Sequence, residues 1–302
     1  MTREHYMIFI FSGTTFLVAT LLTFIVLTTY SRTHTPSPTV KVIVASTTPN
    51  FLQAETSIRV TVENADDEGS LIPIQGVVFE YIAVTDSCGP HFEGECVAVR
   101  GGPGTDYPVI SRLRNGQVLK IDGKVERDGS TWYKIVFDEW LRYPERVAED
   151  WYVISDYVEI LLDEGDKTTE AISVATTTKR IIVDRSKQKL SAYDGETLFM
   201  ETSISTGLEL TPTPRGTFTV FKKTPSRYMQ GPLPGIDAQD YYDLPGVPWN
   251  LYFTEQGAVI HGAFWHDSFG SPYSHGCVNL DPELAHKLYE WTPLGTKVVV
   301  ED

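Results

Sequence analysis

Two histidines and one cysteine lie close together in the last part of the sequence. His261 belongs to the run 259–262, and His275 and Cys277 belong to the run 274–280. A thiol attacks as its thiolate, and a free cysteine has a pKa of about 8.5. A neighbouring imidazole can accept the thiol proton and later pass it to a leaving group. These residues predict nucleophilic catalysis, although a cysteine near a histidine is also commonly an inert buried residue.

The pattern around these residues is more specific than their types alone. His261 and Gly262 are followed by a spacer, 263–273, and then by Ser-His-Gly-Cys at 274–277 with an apolar residue and an asparagine behind it. The string resembles the signature of the L,D-transpeptidase catalytic domain of the YkuD type. That signature is His-Gly, a spacer, Ser/Thr-His-Gly-Cys, an apolar residue, and Arg or Asn.

The resemblance implies a role for each of these residues. Cys277 is the expected nucleophile and His261 the general base and acid, with the carbonyl of Gly262 orienting its ring in place of a carboxylate. Small residues beside the cysteine suit a tight turn that aims backbone N–H groups at an oxyanion. The expected donors are Gly276 and Cys277. Ser274 and His275 are expected to shape the turn, with His275 as a second catalytic candidate.

The implied reaction is transfer of an acyl group between peptidoglycan stem peptides, the donor and the acceptor. The thiolate attacks the carbonyl of the third stem residue, a diamino acid, D-alanine leaves, and an amine of a second stem resolves the thioester into a 3→3 cross-link. The reaction needs no cofactor and no metal, although three histidines within 261–275 could also be read as zinc ligands. The alternatives are an L,D-carboxypeptidase or other hydrolytic cysteine peptidase, and a non-catalytic cell-wall-binding protein.

Substrate-binding candidates come from Asn279, where many members have Arg, and from an aromatic-rich stretch. The stretch 224–250 contains many Pro, Gly and Tyr residues, which predicts a long irregular loop at the rim of the site. The candidate aromatic residues in and beside it are Tyr228, Tyr241, Trp249 and Tyr252. The alternative is a loop packed by its own side chains.

The catalytic domain is expected to span residues 178–302 and to be mainly β. Residues 179–184 and 188–193 predict paired strands, and Asp194–Gly195 is a strong hairpin signal. Ser-Thr-Gly at 205–207 and Thr-Pro-x-Gly at 213–216 also resemble the family. Asp281 predicts the N-cap of a short helix after the cysteine, with a core-facing stripe at Leu284, Leu288 and Trp291 and with His286 on the surface.

Residues 77–162 predict a small β-barrel of short strands separated by Gly and Asn turns. An Arg-x-Gly-Pro loop at 100–103, an Asn-Gly turn at 115–116 and a Trp-Tyr-Lys strand at 132–134 resemble bacterial SH3 domains. The resemblance implies wall or peptide binding, while a spacer domain with Trp132 in its core is the alternative. Cys88 and Cys96 flank a short loop and predict a disulfide, with a metal pair as the weaker alternative.

The remaining segments predict how the chain is placed in the cell. No charged residue occurs from Tyr6 to Tyr30, so residues 1–30 are expected to be an uncleaved transmembrane helix rather than a cleaved signal peptide. A Ser/Thr/Pro spacer, 31–76, and a linker, 163–177, would separate the domains. The expected location is membrane-anchored and extracytoplasmic, in the bacterial cell envelope.

Length and charge limit the classes of partner. The 302 residues allow two modest domains plus further segments, and a hydrophobic content of 41% is ordinary for globular protein. The net charge is −15, from 25 basic and 40 acidic residues. Nucleic acid is therefore not an expected partner, because binding to phosphates needs clustered Lys and Arg.

Overall fold

A computed structural model describes residues 81–161, 177–232 and 241–302, together with the backbone of Lys167–Thr168. All of these residues belong to one compact unit. Within these ranges no helix is long and apolar enough to cross a membrane. The predicted anchor at 1–30, the spacer at 31–76 and the start of the predicted strand at 77 lie outside the described residues.

The N-terminal part of the described chain is a seven-stranded sheet in the order β3-β2-β6-β5-β4-β1-β7. Its strands are β1 (Tyr81–Val84), β2 (Val97–Arg100), β3 (Val109–Leu113), β4 (Val118–Arg127), β5 (Ser130–Ile135), β6 (Trp151–Ile154) and β7 (Val158–Leu161). Alternating apolar side chains from these strands fill the core, as the sequence pattern predicts. Trp132 is 3% exposed and packs with Val125 and Tyr152, so it is a core residue.

A disulfide joins Cys88 and Cys96 in the loop between β1 and β2. The loop it closes reaches the second half of the chain, because His91 lies 3.1 Å from Asp267. Arg114 supports the loop from below: it donates to the carbonyl of Pro90 at 3.1 Å and covers the ring of Phe92.

The C-terminal part consists of two five-stranded sheets and one helix within the described residues. Its strands are β8 (Lys167–Thr168), β9 (Lys179–Asp184), β10 (Lys189–Asp194), β11 (Thr197–Ser203), β12 (Gly216–Thr219), β13 (Lys222–Pro232), β14 (Tyr241–Tyr252), β15 (Val259–Gly262), β16 (Val278–Leu280) and β17 (Lys297–Glu301). One sheet has the order β11-β10-β9-β17-β12, and the other has the order β16-β15-β14-β13-β8. The expected mainly β class with a short helix after the cysteine is therefore confirmed.

Helix α1 (Pro282–Trp291) begins at the predicted cap, because the Asp281 carboxylate accepts from the backbone N–H groups of Glu283 and Leu284. Its buried face differs from the predicted stripe: Ala285, Leu288 and Tyr289 are buried, whereas Leu284 and Trp291 are only partly covered. The helix is rotated because Trp249 of β14 packs between His286 and Tyr289. His286 remains partly exposed at the surface, as predicted, while one face of its ring packs on Trp249.

The stretch 224–250 is a long β-hairpin, β13–β14, and not the predicted irregular loop. Its Pro and Gly residues fit because the strands are interrupted, with a register shift between Arg227 and Met229. Gly246 and Trp249 have positive φ angles of 72° and 62°, which bend β14. Residues 233–240, which connect the two strands, lie outside the described residues.

The hairpin is in direct contact with the SH3-like part. Ser226 Oγ donates to the carbonyl of Val118 at 2.5 Å, and Gln117 Nε2 donates to the carbonyl of Pro245 at 2.6 Å. The two backbones approach so closely at Gly246 that a Cβ atom there would lie 2.8 Å from the Val118 oxygen. Glycine is therefore required at 246 both by its φ angle and by this approach.

The segment 138–150, which the SH3 pattern does not explain, lies along the same hairpin. Its hydrogen bonds to the hairpin are Tyr228 N to Glu139 Oε1 (2.6 Å), Tyr143 N to Gln230 Oε1 (3.0 Å) and Arg146 Nε to Asp243 Oδ2 (3.0 Å). Tyr143 also packs on Tyr241. We call this segment the insertion; it connects the two parts of the molecule through hydrogen bonds between side chains and backbone and through the ion pair of Arg146 and Asp243.

Candidate active site

The proposed nucleophile, Cys277, lies beside β16, which is an edge strand of the second sheet of the C-terminal part. Strands β15 and β16 run parallel, with Ile260 beside Val278 and His261 beside Asn279. Cys277 directly precedes β16, so the same register places it beside Val259, two residues before His261. Because alternate residues of a strand share a face, His261 and Cys277 lie on the same face of the sheet. The pairing of β15 with β16 thus brings the two predicted catalytic residues together.

The ring of His261 is buried, and one of its nitrogens is held by the backbone. Nδ1 lies 2.9 Å from the carbonyl oxygen of Gly262, which is the contact the sequence pattern predicts. A carbonyl can only accept, so Nδ1 carries the hydrogen and Nε2 keeps its lone pair in the neutral ring. Burial lowers the pKa of His261 to about 4, and the bond to Gly262 opposes this effect. The imidazole is therefore neutral at pH 7 and able to accept a proton at Nε2.

Cys277 is a free, half-buried cysteine. Its Sγ lies 3.9 Å from the carbonyl oxygen of Gly257. Loss of solvent raises the pKa of the Cys277 thiol, while hydrogen bonding to the Val259 backbone and the charge of Arg227 lower it. Burial is the largest of these effects, so the resting site contains a thiol and a neutral imidazole rather than an ion pair.

The turn before the cysteine is held by hydroxyl groups. Ser274 Oγ donates to the carbonyl of Cys277 at 2.6 Å, and Thr213 Oγ1 donates to the same carbonyl at 3.2 Å. Thr213 Oγ1 in turn accepts from the backbone N–H of Gly207 at 2.9 Å. The stretches 205–207 and 213–216 thus brace the catalytic turn, and Ser274 shapes it as predicted.

The backbone N–H groups of the turn differ from the predicted pair of oxyanion donors. The N–H of Gly276 donates to Ser274 Oγ at 3.2 Å, so it is engaged within the turn. Gly276 has a φ of 118°, which the turn requires and which favours glycine. Within the described residues, the N–H of Cys277 has no acceptor, and this is the donor that the turn offers to an oxyanion.

Asn279 is buried and bonded to a histidine outside the predicted site. Its side-chain amide lies 3.0 Å from Nε2 of His266, whose Nδ1 accepts from the N–H of Ser268 at 3.1 Å. The Asn279 atom at this distance is Nδ2, but a neutral His266 that accepts at Nδ1 must donate at Nε2, so we assign the flipped amide orientation, in which the Asn279 oxygen accepts. Burial lowers the pKa of His266 to about 4, which agrees with this neutral form. Asn279 therefore stabilises the spacer, and because it pairs with His261 beside the site, its predicted contact with the substrate stays a prediction.

Three side chains near the thiol were not predicted as a group. Tyr242 of β14 lies against the site: burial raises its pKa, and the charge of Cys277 raises it further. His275 is exposed and stacks on Tyr242 with ring centroids 6.2 Å apart. Arg227 of β13 lowers the pKa of Cys277 and of His261 by its positive charge. Arg227 and Tyr242 reach the site because their strands pair with each other and with β15, and no local sequence pattern predicts this position.

The four aromatic candidates for substrate binding divide into two groups. Trp249 is 4% exposed and stacks on His286, and Tyr228 is 5% exposed and packs on Phe137. Both are largely buried and pack on neighbouring rings, which gives each a structural role beside its predicted contact with the substrate. Tyr252 is half-buried on the face that carries His261, and Tyr241 is exposed beside Tyr143, so both remain candidates.

Comparisons with known proteins place this site within a family. Residues 178–300 match the family model of the YkuD L,D-transpeptidase catalytic domain, and residues 97–159 match that of the bacterial SH3 domain. A Mycobacterium tuberculosis protein assigned as L,D-transpeptidase 3 is 35% identical over 95 residues, covering 30% of this chain and 35% of that protein. A Bacillus licheniformis protein assigned as L,D-transpeptidase YkuD is 27% identical over 124 residues, covering 40% of this chain and 64% of that protein.

The chain therefore spans less than two thirds of the length of either relative. Among solved structures, an L,D-transpeptidase from Mycobacterium smegmatis is 22% identical, covers 57% of this chain and 91% of its own, and gives a TM-score of 0.40. The two family matches lie on the two parts of the described fold. Residues 178–300 are thus similar to the L,D-transpeptidase catalytic domain of the YkuD type, and the preceding residues 97–159 are similar to bacterial SH3 domains.

Proposed function

We propose that the chain is a cysteine-dependent L,D-transpeptidase that forms 3→3 cross-links between peptidoglycan stem peptides. The observation that carries this proposal is the pairing of β15 with β16. It puts Cys277 on the same sheet face as His261, whose Nδ1 is fixed at 2.9 Å from the Gly262 carbonyl. A thiol and a neutral imidazole with a free Nε2 are the groups that thiol acyl transfer requires.

Acylation begins with transfer of the thiol proton to Nε2 of His261 as the sulfur attacks the carbonyl carbon of the third stem residue. The N–H of Cys277 donates to the oxyanion that forms. The bond from this carbon to the nitrogen of D-alanine then breaks, and the nitrogen takes the proton from His261. The products are free D-alanine and a thioester on Cys277, and no cofactor takes part.

Deacylation repeats these steps with an amine as the nucleophile. The side-chain amine of a second stem attacks the thioester carbonyl, gives its proton to His261, and releases the thiol, which recovers that proton. Water in place of the amine would make the protein a carboxypeptidase. The choice between the two depends on the acceptor, so it is decided by product analysis.

The proposed location is the bacterial cell envelope, with residues 1–30 as a membrane anchor. The uncharged run from Tyr6 to Tyr30 supports the anchor. The Cys88–Cys96 disulfide supports an oxidising compartment outside the cytoplasm. Peptidoglycan stem peptides occur in that compartment, in agreement with the proposed substrates.

The first test is acylation of Cys277 by a carbapenem, whose strained amide carbonyl is open to attack by an activated thiol. The intact mass of the chain is measured before and after incubation, beside the Cys277→Ala variant. We expect one stable adduct on the wild type and none on Cys277→Ala. A folded wild type with a free Cys277 thiol and no adduct would contradict the proposal and favour a wall-binding role.

The second part of the test separates transfer from hydrolysis. A tetrapeptide donor is incubated with and without an amine acceptor, and the products are identified by mass. A cross-linked product that depends on acceptor concentration supports the transferase. A tripeptide whose yield does not respond to the acceptor would assign the protein as a carboxypeptidase.

A further inference from the structure

The position that carries Arg in many members of the family is occupied here by an uncharged residue. Asn279 is 2% exposed, and its amide is bonded to His266. A cationic contact for the substrate, if this chain has one, must therefore come from another strand.

Arg227 of β13 is a guanidinium group without an anionic partner among the described residues. Its side chain is half-buried, and its Cζ lies over the ring of Tyr252 at 5.5 Å from the centroid. Its backbone pairs with Val247 of β14. Guanidinium groups that are partly removed from water are normally matched by a carboxylate or phosphate, because their fork of donors fits these anions. This one is matched only by an aromatic face.

The position of Arg227 relative to the nucleophile follows from strand register. Tyr252 pairs with Val259, and Ile260 pairs with Val278, so Tyr252, Val259 and Cys277 lie in one row across three neighbouring strands. Neighbouring strands are about 4.8 Å apart, which puts the strand of Tyr252 about 10 Å from that of Cys277. The guanidinium over the Tyr252 ring therefore lies two strands away from the strand of Cys277.

Electrostatics agree with this placement. The positive charge of Arg227 lowers the pKa of Cys277, of His261 and of Tyr242. These three groups border the place where the donor carbonyl must lie, so Arg227 faces the same space as they do.

We propose that Arg227 is a specificity-determining residue that binds a carboxylate of the acyl donor while the donor carbonyl is held at Cys277. This inference rests on the proposed function. A carboxylate at the end of the extended side chain of a diamino dicarboxylic third residue stands about 7 Å from the carbonyl carbon by ordinary bond lengths. The carboxylate of the leaving D-alanine is closer, at about 4 Å. Because Arg227 lies over a strand two strands away from Cys277, the side-chain carboxylate, which reaches farther, is the favoured one.

The test compares three donors on the full chain. They are a tetrapeptide with a free side-chain carboxylate on its third residue, the same peptide with that group amidated, and the peptide amidated at its C-terminus. Release of the C-terminal residue gives kcat/KM for wild type, Arg227→Gln and Arg180→Gln. Arg180 is the matched control because its guanidinium also lies over a tyrosine ring, that of Tyr193, but in the other sheet.

For wild type and Arg180→Gln, we expect amidation of the side chain to lower kcat/KM by about 10- to 100-fold, the loss typical of one charge-assisted hydrogen bond. For Arg227→Gln, we expect a similar loss with the free donor and no further loss on amidation. If amidation of the C-terminus, and not of the side chain, lowered kcat/KM for the wild type but not for Arg227→Gln, Arg227 would still bind a carboxylate, namely that of the leaving group. If Arg227→Gln remained as sensitive to amidation as the wild type, the assignment would be overturned.

Two further measurements keep the inference separate from other effects. Alkylation of Cys277 by the neutral reagent iodoacetamide reports thiol reactivity alone. If Arg227→Gln slowed both donors equally and slowed alkylation by the same factor, Arg227 would act only on the thiol, and carboxylate binding would be rejected. If the wild type released no product from any donor, the proposed function would fail. Calorimetric binding of the three donors to Cys277→Ala, with and without Arg227→Gln, would then still decide whether Arg227 recognises a carboxylate.

Discussion

The catalytic pair is built from a thiol and a histidine oriented by a backbone carbonyl rather than by a carboxylate. The Gly262 carbonyl fixes the tautomer of His261 without adding negative charge. A carboxylate would stabilise an imidazolium and so favour a thiolate–imidazolium pair at rest. Here burial is the largest effect on both partners, raising the pKa of Cys277 and lowering that of His261. Proton transfer is therefore expected to accompany attack on the carbonyl instead of preceding it.

The pH dependence of alkylation tests this resting state. Because the pKa of Cys277 is raised, the rate of its reaction with iodoacetamide should climb about tenfold per pH unit from pH 6 and still be rising at pH 9. Intact-mass time courses measure this rate at a single site, because the other two cysteines form the disulfide. A rate that levels off below pH 7 would indicate a thiolate–imidazolium pair and contradict the expectation.

At the residue scale, the sequence predicts those parts of the site whose residues are close together along the chain. Cys277, Ser274 and the contact between His261 and Gly262 follow from short-range pattern. Arg227 and Tyr242 could not be found this way, because they reach the site only through the pairing of β13, β14 and β15. The burial of Trp249 was not predicted, because sequence shows that a residue is aromatic but not which face of its strand is buried.

At the scale of elements, the catalytic turn depends on two loops of the preceding sequence. Gly207 is the point where these loops approach most closely. A Cβ atom at Gly207 would lie within 3.0 Å of three backbone atoms, Thr211 O, Thr213 N and Pro212 C. None of these can move without disturbing Thr213, which holds the Cys277 carbonyl. The position of the nucleophile is thus tied to a loop 70 residues away in sequence.

The variant Gly207→Ala measures this dependence. We expect it to reduce the rate of carbapenem acylation of Cys277 by tenfold or more and to lower the free energy of unfolding by about 1–3 kcal/mol, as overpacked sites do. Acylation is followed by intact mass and unfolding by urea titration. Gly101→Ala is the matched glycine, since a Cβ atom there would meet its nearest atom at 3.4 Å, and neither Gly101 nor Gly207 has a positive φ. Equal effects of the two variants would show that the loss of a glycine, and not the crowding at Gly207, is responsible.

The elements themselves were predictable to different degrees. The paired strands β9 and β10, the turn at Gly195 and the Asp281 cap are local features, and they occur where the pattern places them. The hairpin β13–β14 was predicted as a loop because its Pro and Gly content is typical of loops. Those residues are accommodated by a register shift and a bent strand, which depend on the SH3 domain packed against Gly246.

At the scale of the whole molecule, the insertion joins the SH3 domain to the hairpin that carries Arg227 and Tyr242. Gln230 is at the centre of this contact. Its side chain accepts from the N–H of Tyr143 at 3.0 Å and donates to Asp243 at 2.9 Å. The SH3 domain is therefore part of the scaffold of the active site as well as a candidate wall-binding module.

The variant Gln230→Ala tests the coupling between the two domains. Loss of these bonds should lower the free energy of unfolding by about 1–3 kcal/mol and increase hydrogen exchange in 138–150. The control is Gln256→Ala, because Gln256 is exposed. Unchanged exchange in the insertion, measured by mass spectrometry, would show that the contact with the hairpin does not hold it in place.

The segment between the two domains has a further effect on the behaviour of the catalytic sheet. Its residues Lys167 and Thr168 form β8, which pairs with Lys223 and Lys222 of β13. A catalytic domain started at residue 178 would lack this strand and would present part of β13 as an open edge. Open edges can pair with the edges of other copies and lead to aggregation. Lys167 and Thr168 therefore cover the edge of β13 at Lys222 and Lys223, and we expect a fragment that begins at residue 178 to associate with itself more readily than the full chain.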